Sequence, residues 1–182
     1  MAKLAAKTYG ESLFELAVEE NKLELLFEEV QMLQQILTRH EDLCKLMTHP
    51  KIGKEEKMDI MENILKGRVS DELTGFLNII IAKGRFKEIF KILGYFTARV
   101  KEHKKIGVVY VSSAVELKEY QKKALTDKLI SITSYETMEM NYNVDATLIG
   151  GMVIRIGDRV VDSSIKNQLS DLKSDLLKIQ LA

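Results

Sequence analysis

The chain has 182 residues, 46% of them hydrophobic and 30% charged, with 27 basic and 27 acidic side chains. That composition excludes a disordered chain and supports one large domain or two small ones. Residues 1–105 carry 18 basic and 17 acidic groups and residues 106–182 carry 9 and 10, so neither half has the concentrated positive field that nucleic acid requires.

Residues 3 to about 105 carry helical periodicity in six short pieces. Lys3–Glu20 places Ala5, Ala6, Tyr9, Leu13, Leu16 and Ala17 in register. Leu23, Leu26, Phe27, Val30, Leu33 and Leu37 then recur at three- and four-residue spacing. A helix around Asp42–Met47 stops at His49-Pro50, because proline cannot donate the next ladder bond and disfavours helix just before it. Lys54–Lys66 carries Met58, Met61, Ile64 and Leu65, with Gly67 as its stop. Ser70 is a good N-cap for Asp71–Lys83, whose Asp71 and Glu72 suit the positive end of the helix dipole. Gly84 breaks to a sixth helix over Phe86–Lys105, striped by Phe86, Ile89, Phe90, Leu93, Phe96 and Val100.

The texture changes at Gly107. Val108-Val109-Tyr110-Val111 is β-branched and aromatic, as in a strand. Leu117–Ile132 returns to helical spacing, and Met138, Met140, Tyr142 and Val144 then alternate with polar residues at the period of a half-buried strand. After a turn at Asp145-Ala146-Thr147, Met152–Ile156 and Val160-Val161 form strands joined by Gly157-Asp158-Arg159. Asp162 and Ser163 are placed to cap a last helix, with Ile165, Leu169, Leu172, Leu176 and Ile179 at heptad spacing. The expected fold is mainly α: an antiparallel six-helix bundle over 1–105, then a small α+β domain over 106–182.

The chain offers little for catalysis. Cys44 is its only cysteine, which rules out an intrachain disulfide and fits a reducing compartment. His40, Cys44 and His49 are the best metal candidates, but they have no fourth partner nearby and match none of the usual spacings. The competing reading is a small core thiol beside surface histidines. Gly150, Gly151 and Gly157 do not make a phosphate loop, since Gly150-Gly151 leads into a strand and not a helix N-terminus. They read instead as a bulge and a hairpin turn. No cofactor is expected. Lys3 and Lys7 interrupt the N-terminal apolar residues, against the pattern of a secretory leader. The longest apolar stretch, Phe76 to Ala82, is far short of the ~18 residues of a membrane span.

Two helices are apolar over more of their circumference than one contact needs. The first is apolar over roughly half, and Phe76, Ile79, Ile80 and Ile81 spread over roughly 200° of the fifth, against about 100° for one packed face. The excess fits either a groove that takes a visiting amphipathic helix or a central helix enclosed by its neighbours.

The sequence resembles the delta subunit family of F-type ATP synthases, the counterparts of the mitochondrial oligomycin-sensitivity-conferring protein. Tyr9-Gly10-Glu11-Ser12-Leu13-Phe14-Glu15-Leu16-Ala17 is similar to the family's opening Tyr-Ala-x-Ala-Leu-Phe-x-x-Ala. Ala82-Lys83-Gly84-Arg85-Phe86 is like its Glu-Asn-Gly-Arg-Leu corner. The most specific match is Val144-Asp145 through Leu148-Ile149-Gly150-Gly151, continuing Ile154-Arg155-Ile156-Gly157-Asp158 to Val161-Asp162-Ser163-Ser164-Ile165. Two departures are Lys83 for the usual asparagine and Gly10 for the usual alanine. Gly10 loosens a helix by up to about 1 kcal/mol but admits a close backbone.

The resemblance implies a non-catalytic stator subunit on the cytoplasmic face of the inner membrane. It would link alpha subunits of the catalytic head to membrane-anchored b subunits against rotor torque. It also implies that the first and fifth helices grip alpha N-terminal helices, here through Tyr9, Leu13, Ala17, Phe76, Ile79 and Ile80. The C-terminal domain would meet the b subunits, here through Ile165, Leu169, Leu172 and Leu176. A generic helical adaptor outside the synthase is the competing expectation.

Overall fold

In the computed structural model, which describes residues 2–180 and the side-chain surroundings of residues 4–174, the helical spacing resolves into six α-helices up to and including His103. They are α1 (Ala2–Glu19), α2 (Leu23–Arg39), α3 (Glu41–Thr48), α4 (Lys54–Leu65), α5 (Asp71–Ala82) and α6 (Ile89–His103). Their ends have local causes. His49 is extended (φ −69°, ψ 131°) because Pro50 follows it. Gly67 takes φ +70° just beyond α4, where a side chain would be strained. After α5, Gly84 (φ +67°) donates to Ile81 O and Arg85 donates to Ile80 O, both at 2.9 Å, which closes the helix as a Schellman motif. The sixth helix begins later than its spacing predicts. Phe86–Glu88 form a 3-10 turn in which Glu88 N–H bonds Arg85 O, and the α-helix starts only at Ile89.

These helices share one apolar core. Leu26, Val30, Leu33 and Leu37 are all buried along α2, and burying each stabilises by roughly 1.5–3 kcal/mol. Leu73, Leu77 and Ile80 of α5 join Ile92, Leu93, Phe96 and Val100 of α6 in the same cluster. Gly10 of α1 is buried where α6 passes. A Cβ there would lie 2.6 Å from Tyr95 Cδ1 and 3.1 Å from the Ile92 carbonyl oxygen. The residue that looked like a weak point in a helix is therefore where α1 and α6 approach closely.

The chain parts into a second compact unit between Lys101 and Glu102. It contains β1 (Ile106–Ser113), α7 (Glu119–Ile132), β2 (Thr137–Val144), β3 (Met152–Ile156), β4 (Arg159–Asp162) and α8 (Ile165–Gln180). The sheet order is β2-β1-β3-β4. β2 runs parallel to β1 after the α7 crossover, whereas β3 and β4 add antiparallel. The period-two pattern puts Val109 and Val111 on one face, in register with Met140 and Ile156 and with Tyr142 and Ile154. Leu125 and Leu129 of α7 cover that face.

Three expectations change in this unit. Leu117 precedes α7, which starts where Lys118 N–H donates to Gln121 Oε1 at 2.9 Å. The Asp145 turn is a 3-10 turn over Ala146–Leu148, because the Asp145 carboxylate accepts Thr147 N–H at 2.9 Å. Gly150-Gly151 forms no sheet bulge. A Cβ on Gly151 (φ +74°) would sit 2.3 Å from Ser163 O, and one on Gly150 would sit 2.5 Å from Ile165 Cδ1. The pair clears space for the chain entering α8. The fold is mainly helical with a small four-stranded sheet, and among the described residues no helix is long and apolar enough to cross a membrane.

Two helical glycines give opposite predictions. Gly94 in α6 has open space where a Cβ would go, so Gly94→Ala stabilises by up to about 1 kcal/mol. Gly10→Ala overpacks against Tyr95 and the Ile92 carbonyl, for a net loss of about 1–2 kcal/mol despite the same propensity gain. Chemical denaturation of the two variants measures the opposite signs.

Candidate functional site

Both ends of α5 are tied down. At its start Ser70 Oγ accepts Leu73 N–H at 3.4 Å, the N-cap expected from the sequence. Glu29 of α2 adds a clamp, accepting Ser70 N–H at 2.8 Å and the Ser70 hydroxyl at 2.6 Å. The Lys22 ammonium pairs with Glu72, a contact that lowers the carboxyl pKa of Glu72 and raises that of Lys22. At the far end Lys54 Nζ donates to Ala82 O at 2.6 Å, placing a cation on the negative end of the helix dipole.

The helix held this way divides its apolar residues sharply. Ile80 is 0% exposed, Leu73, Phe76, Leu77 and Ile81 are buried, and Ile79 is 53% exposed. Most of the wide apolar arc is therefore core. What faces out is Asp71, Gly75, Ile79 and Ala82, one turn apart, with Ile79 the large apolar side chain among them. On α1, Leu13 and Ala17 are buried in the core and Tyr9 packs partly buried against it. Leu13, Ala17 and Ile80 thus shape the body behind the surface, and among the described residues Leu4, Val18 and Ile79 are the large apolar side chains that these two helices expose.

A polar clasp backs α1. Glu11 accepts the Tyr95 hydroxyl at 2.8 Å and Arg99 Nε–H at 3.2 Å, both from α6. The Arg99 guanidinium also lies 5.4 Å from the centroid of the Phe14 ring. The Tyr95 hydrogen bond is the main reason the Glu11 carboxyl titrates below its ordinary value, with burial opposing it and Arg99 assisting. Nothing in the spacing of Glu11 signals this contact, because its partners are more than eighty residues away.

In the second unit Ile165, Leu169 and Leu172 line one side of α8, 42%, 53% and 57% exposed. Leu176 lies outside the residues whose side chains are described. The cap differs from the expected Asp162-Ser163 pair. Ser164 Oγ accepts Asn167 N–H at 3.2 Å, and the Asp162 carboxylate accepts Ser164 N–H at 2.8 Å one step earlier. Ser163 instead donates its hydroxyl to Met152 O at 2.9 Å.

The His40, Cys44 and His49 set is not assembled as a metal site. The Cys44 thiol donates to Leu37 O at 3.6 Å, and burial pushes its pKa up, away from the reactive thiolate. His49 Nδ1 accepts Lys51 N–H at 3.3 Å. Among the described residues no three His, Cys, Asp or Glu side chains lie close enough to hold a metal ion.

Each compact unit thus exposes apolar side chains at expected positions, Ile79 in the first and Ile165, Leu169 and Leu172 in the second. The family model described as ATP synthase delta (OSCP) subunit matches residues 5–176. The chain belongs to that family. It is 55% identical over 181 residues, covering all of both chains, to the ATP synthase subunit delta of Lachnoclostridium phytofermentans. It is 36% identical over 180 residues to that of Alkaliphilus oremlandii, covering 98% of this chain and 99% of the other. A chain of the Toxoplasma gondii mitochondrial ATP synthase hexamer shares the fold, with TM-score 0.77 over 94% of this chain and 97% of that one at 15% identity. The delta family is a structural subunit of ATP synthase and not a catalytic one, and the generic-adaptor reading is not favoured.

The Glu11 clasp carries a pH prediction. A carboxyl whose pKa is depressed by folding contributes stability that is complete above its ordinary value and lost as pH falls through the depressed one. The stability gap between the wild type and Glu11→Gln should therefore shrink on acidification through that window. Denaturation curves at successive pH values measure it, and a gap that stays constant would mean that Glu11 titrates alike in both states.

Proposed function

We propose that the chain is the stator link of an F-type ATP synthase, joining alpha subunits of the catalytic head to the b subunits of the peripheral stalk. In this reading the six helices act as an antiparallel bundle that holds the head. The α+β unit holds the stalk at the cytoplasmic face of the membrane. What supports the reading is the separation of two exposed apolar surfaces into two compact units of a delta-family chain. A stator must resist torque without turnover, which asks for desolvated apolar anchors with long residence times.

The head-facing anchor proposed here is Ile79, with Gly75 and Ala82 letting an incoming helix approach closely and Tyr9 contributing from α1. Phe76, Ile80, Leu13 and Ala17 support this surface from within. The distinction changes the experiment. Ile80→Asp would bury a carboxylate in the core and unfold the bundle, whereas Ile79→Asp leaves the core intact. Ile79→Asp with Tyr9→Ala should weaken binding of an alpha N-terminal peptide by about tenfold or more, a change of about 1.4 kcal/mol or more. Calorimetry giving the wild-type affinity in a folded variant would remove the assignment.

The stalk-facing anchors proposed are Ile165, Leu169, Leu172 and Leu176. Leu169→Asp with Leu172→Asp in the full chain should abolish capture of a peptide from the C-terminal end of b and leave the alpha peptide bound. Loss of both ligands from these two substitutions would contradict the division of labour.

A further inference from the structure

We propose that α8 is one strand of a coiled coil completed by an acid-flanked amphipathic helix of the stalk. The inference rests on the reading that the C-terminal unit holds the stalk, and adds the chemistry and geometry by which it does so. Ile165, Leu169 and Leu172 stand at four- and three-residue spacing, and the sequence continues it through Leu176 and Ile179. This is a strict 3.5-residue repeat, the period of a coiled-coil seam, and narrower than the stripe of a helix packed on a globular core. Ile165, Leu169 and Leu172 are all exposed among the described residues. A helix of 16 residues whose three described seam residues are all exposed is marginal in water, so a covering partner stabilises it.

The charges beside the seam state which partner. With Ile165 and Leu172 at the d positions, Lys166 and Lys173 occupy successive e positions. The opposite flank holds Gln168 and, in sequence, Asp175, while Asn167, Ser170 and Ser174 lie away from the seam. A flank of two lysines one heptad apart selects a helix whose facing flank is acidic. A second copy of this chain does not meet that requirement. An antiparallel α8 pair sets lysine against lysine, and a parallel one sets Lys173 against Gln168 and Asp175 against Gln180, with no ion pair. The root of α8 fixes how the seam is presented. Ile165 N–H donates to Gly150 O at 3.0 Å, and its side chain occupies the space left by the missing Gly150 Cβ.

The test titrates the full chain with two designed helical peptides that share a leucine-isoleucine heptad seam. One carries glutamate at the flanking positions and the other lysine. The glutamate peptide should bind about tenfold tighter at low ionic strength, from two ion pairs gained in one case and two repulsions in the other. The preference should shrink as salt rises. Lys166→Glu with Lys173→Glu should reverse it. Equal affinity for the two peptides, or an unchanged preference in the double variant, overturns the proposal. So does sedimentation showing dimers of the full chain that Leu169→Asp dissolves, because the occupant is then a second copy. A peptide from the C-terminal end of b separates this inference from the reading beneath it. Binding that is indifferent to the double charge reversal keeps the stalk role and removes the acid-flanked coiled coil. No binding of that peptide, with the designed-peptide preference intact, removes the stalk role instead.

Discussion

Leu73, Phe76, Leu77, Ile80 and Ile81 put buried side chains over roughly 140° of α5, more than the about 100° that one packed face covers. The helical unit is arranged to meet that demand. α2 and α4 both pack on α5, and α6 contributes Ile92, Leu93 and Phe96 to the same core. The helical unit also keeps apolar residues such as Leu25, Met32 and Phe90 on its exterior. The polar contacts at the ends of α5, from Glu29, Lys22 and Lys54, then fix its rotation and depth. Only with that rotation set does Ile79 face solvent while Ile80 faces the core.

The two units solve the task of gripping in different ways. In the reading proposed here, the helical unit presents Ile79 beside the buried face of α5, so a partner meets a surface already organised by the core. In the same reading the C-terminal unit presents Ile165, Leu169 and Leu172 along α8, so a partner there meets a row of exposed apolar side chains. Pre-organisation favours affinity in the first case. In the second, the flanking charges of Lys166 and Lys173 do more of the selecting.

Helix positions, strand positions and the switch in texture near Gly107 were legible because each depends on local spacing. The 3-10 turn at Phe86 was not, since its residues carry the same apolar stripe as the helix that follows. The capping residue of α8 was misplaced by one position, because Asp162, Ser163 and Ser164 are all competent caps and tertiary contacts choose among them. The wide apolar arc of α5 was visible on a helical wheel, but the wheel does not say which residues have neighbours. Ile79 and Ile80 are adjacent and chemically identical, and only the enclosure by α2, α4 and α6 makes one exposed and the other core. The Glu11 clasp and the Glu29 clamp join residues far apart in the chain and leave no periodic trace.

The glycine pair at the head of β3 has a mechanical consequence. A pull on α8 does not enter the sheet only through β4, the four-residue edge strand to which α8 is covalently joined. Gly150 and Gly151 bring the chain close enough for Ile165 to bond Gly150 and for Ser163 to bond Met152 through both its amide and its hydroxyl. Tension is thereby shared with β3, an interior strand bonded on both sides, and the edge hairpin is spared from peeling first. A side chain at either glycine would push the two segments apart and return the whole load to the edge.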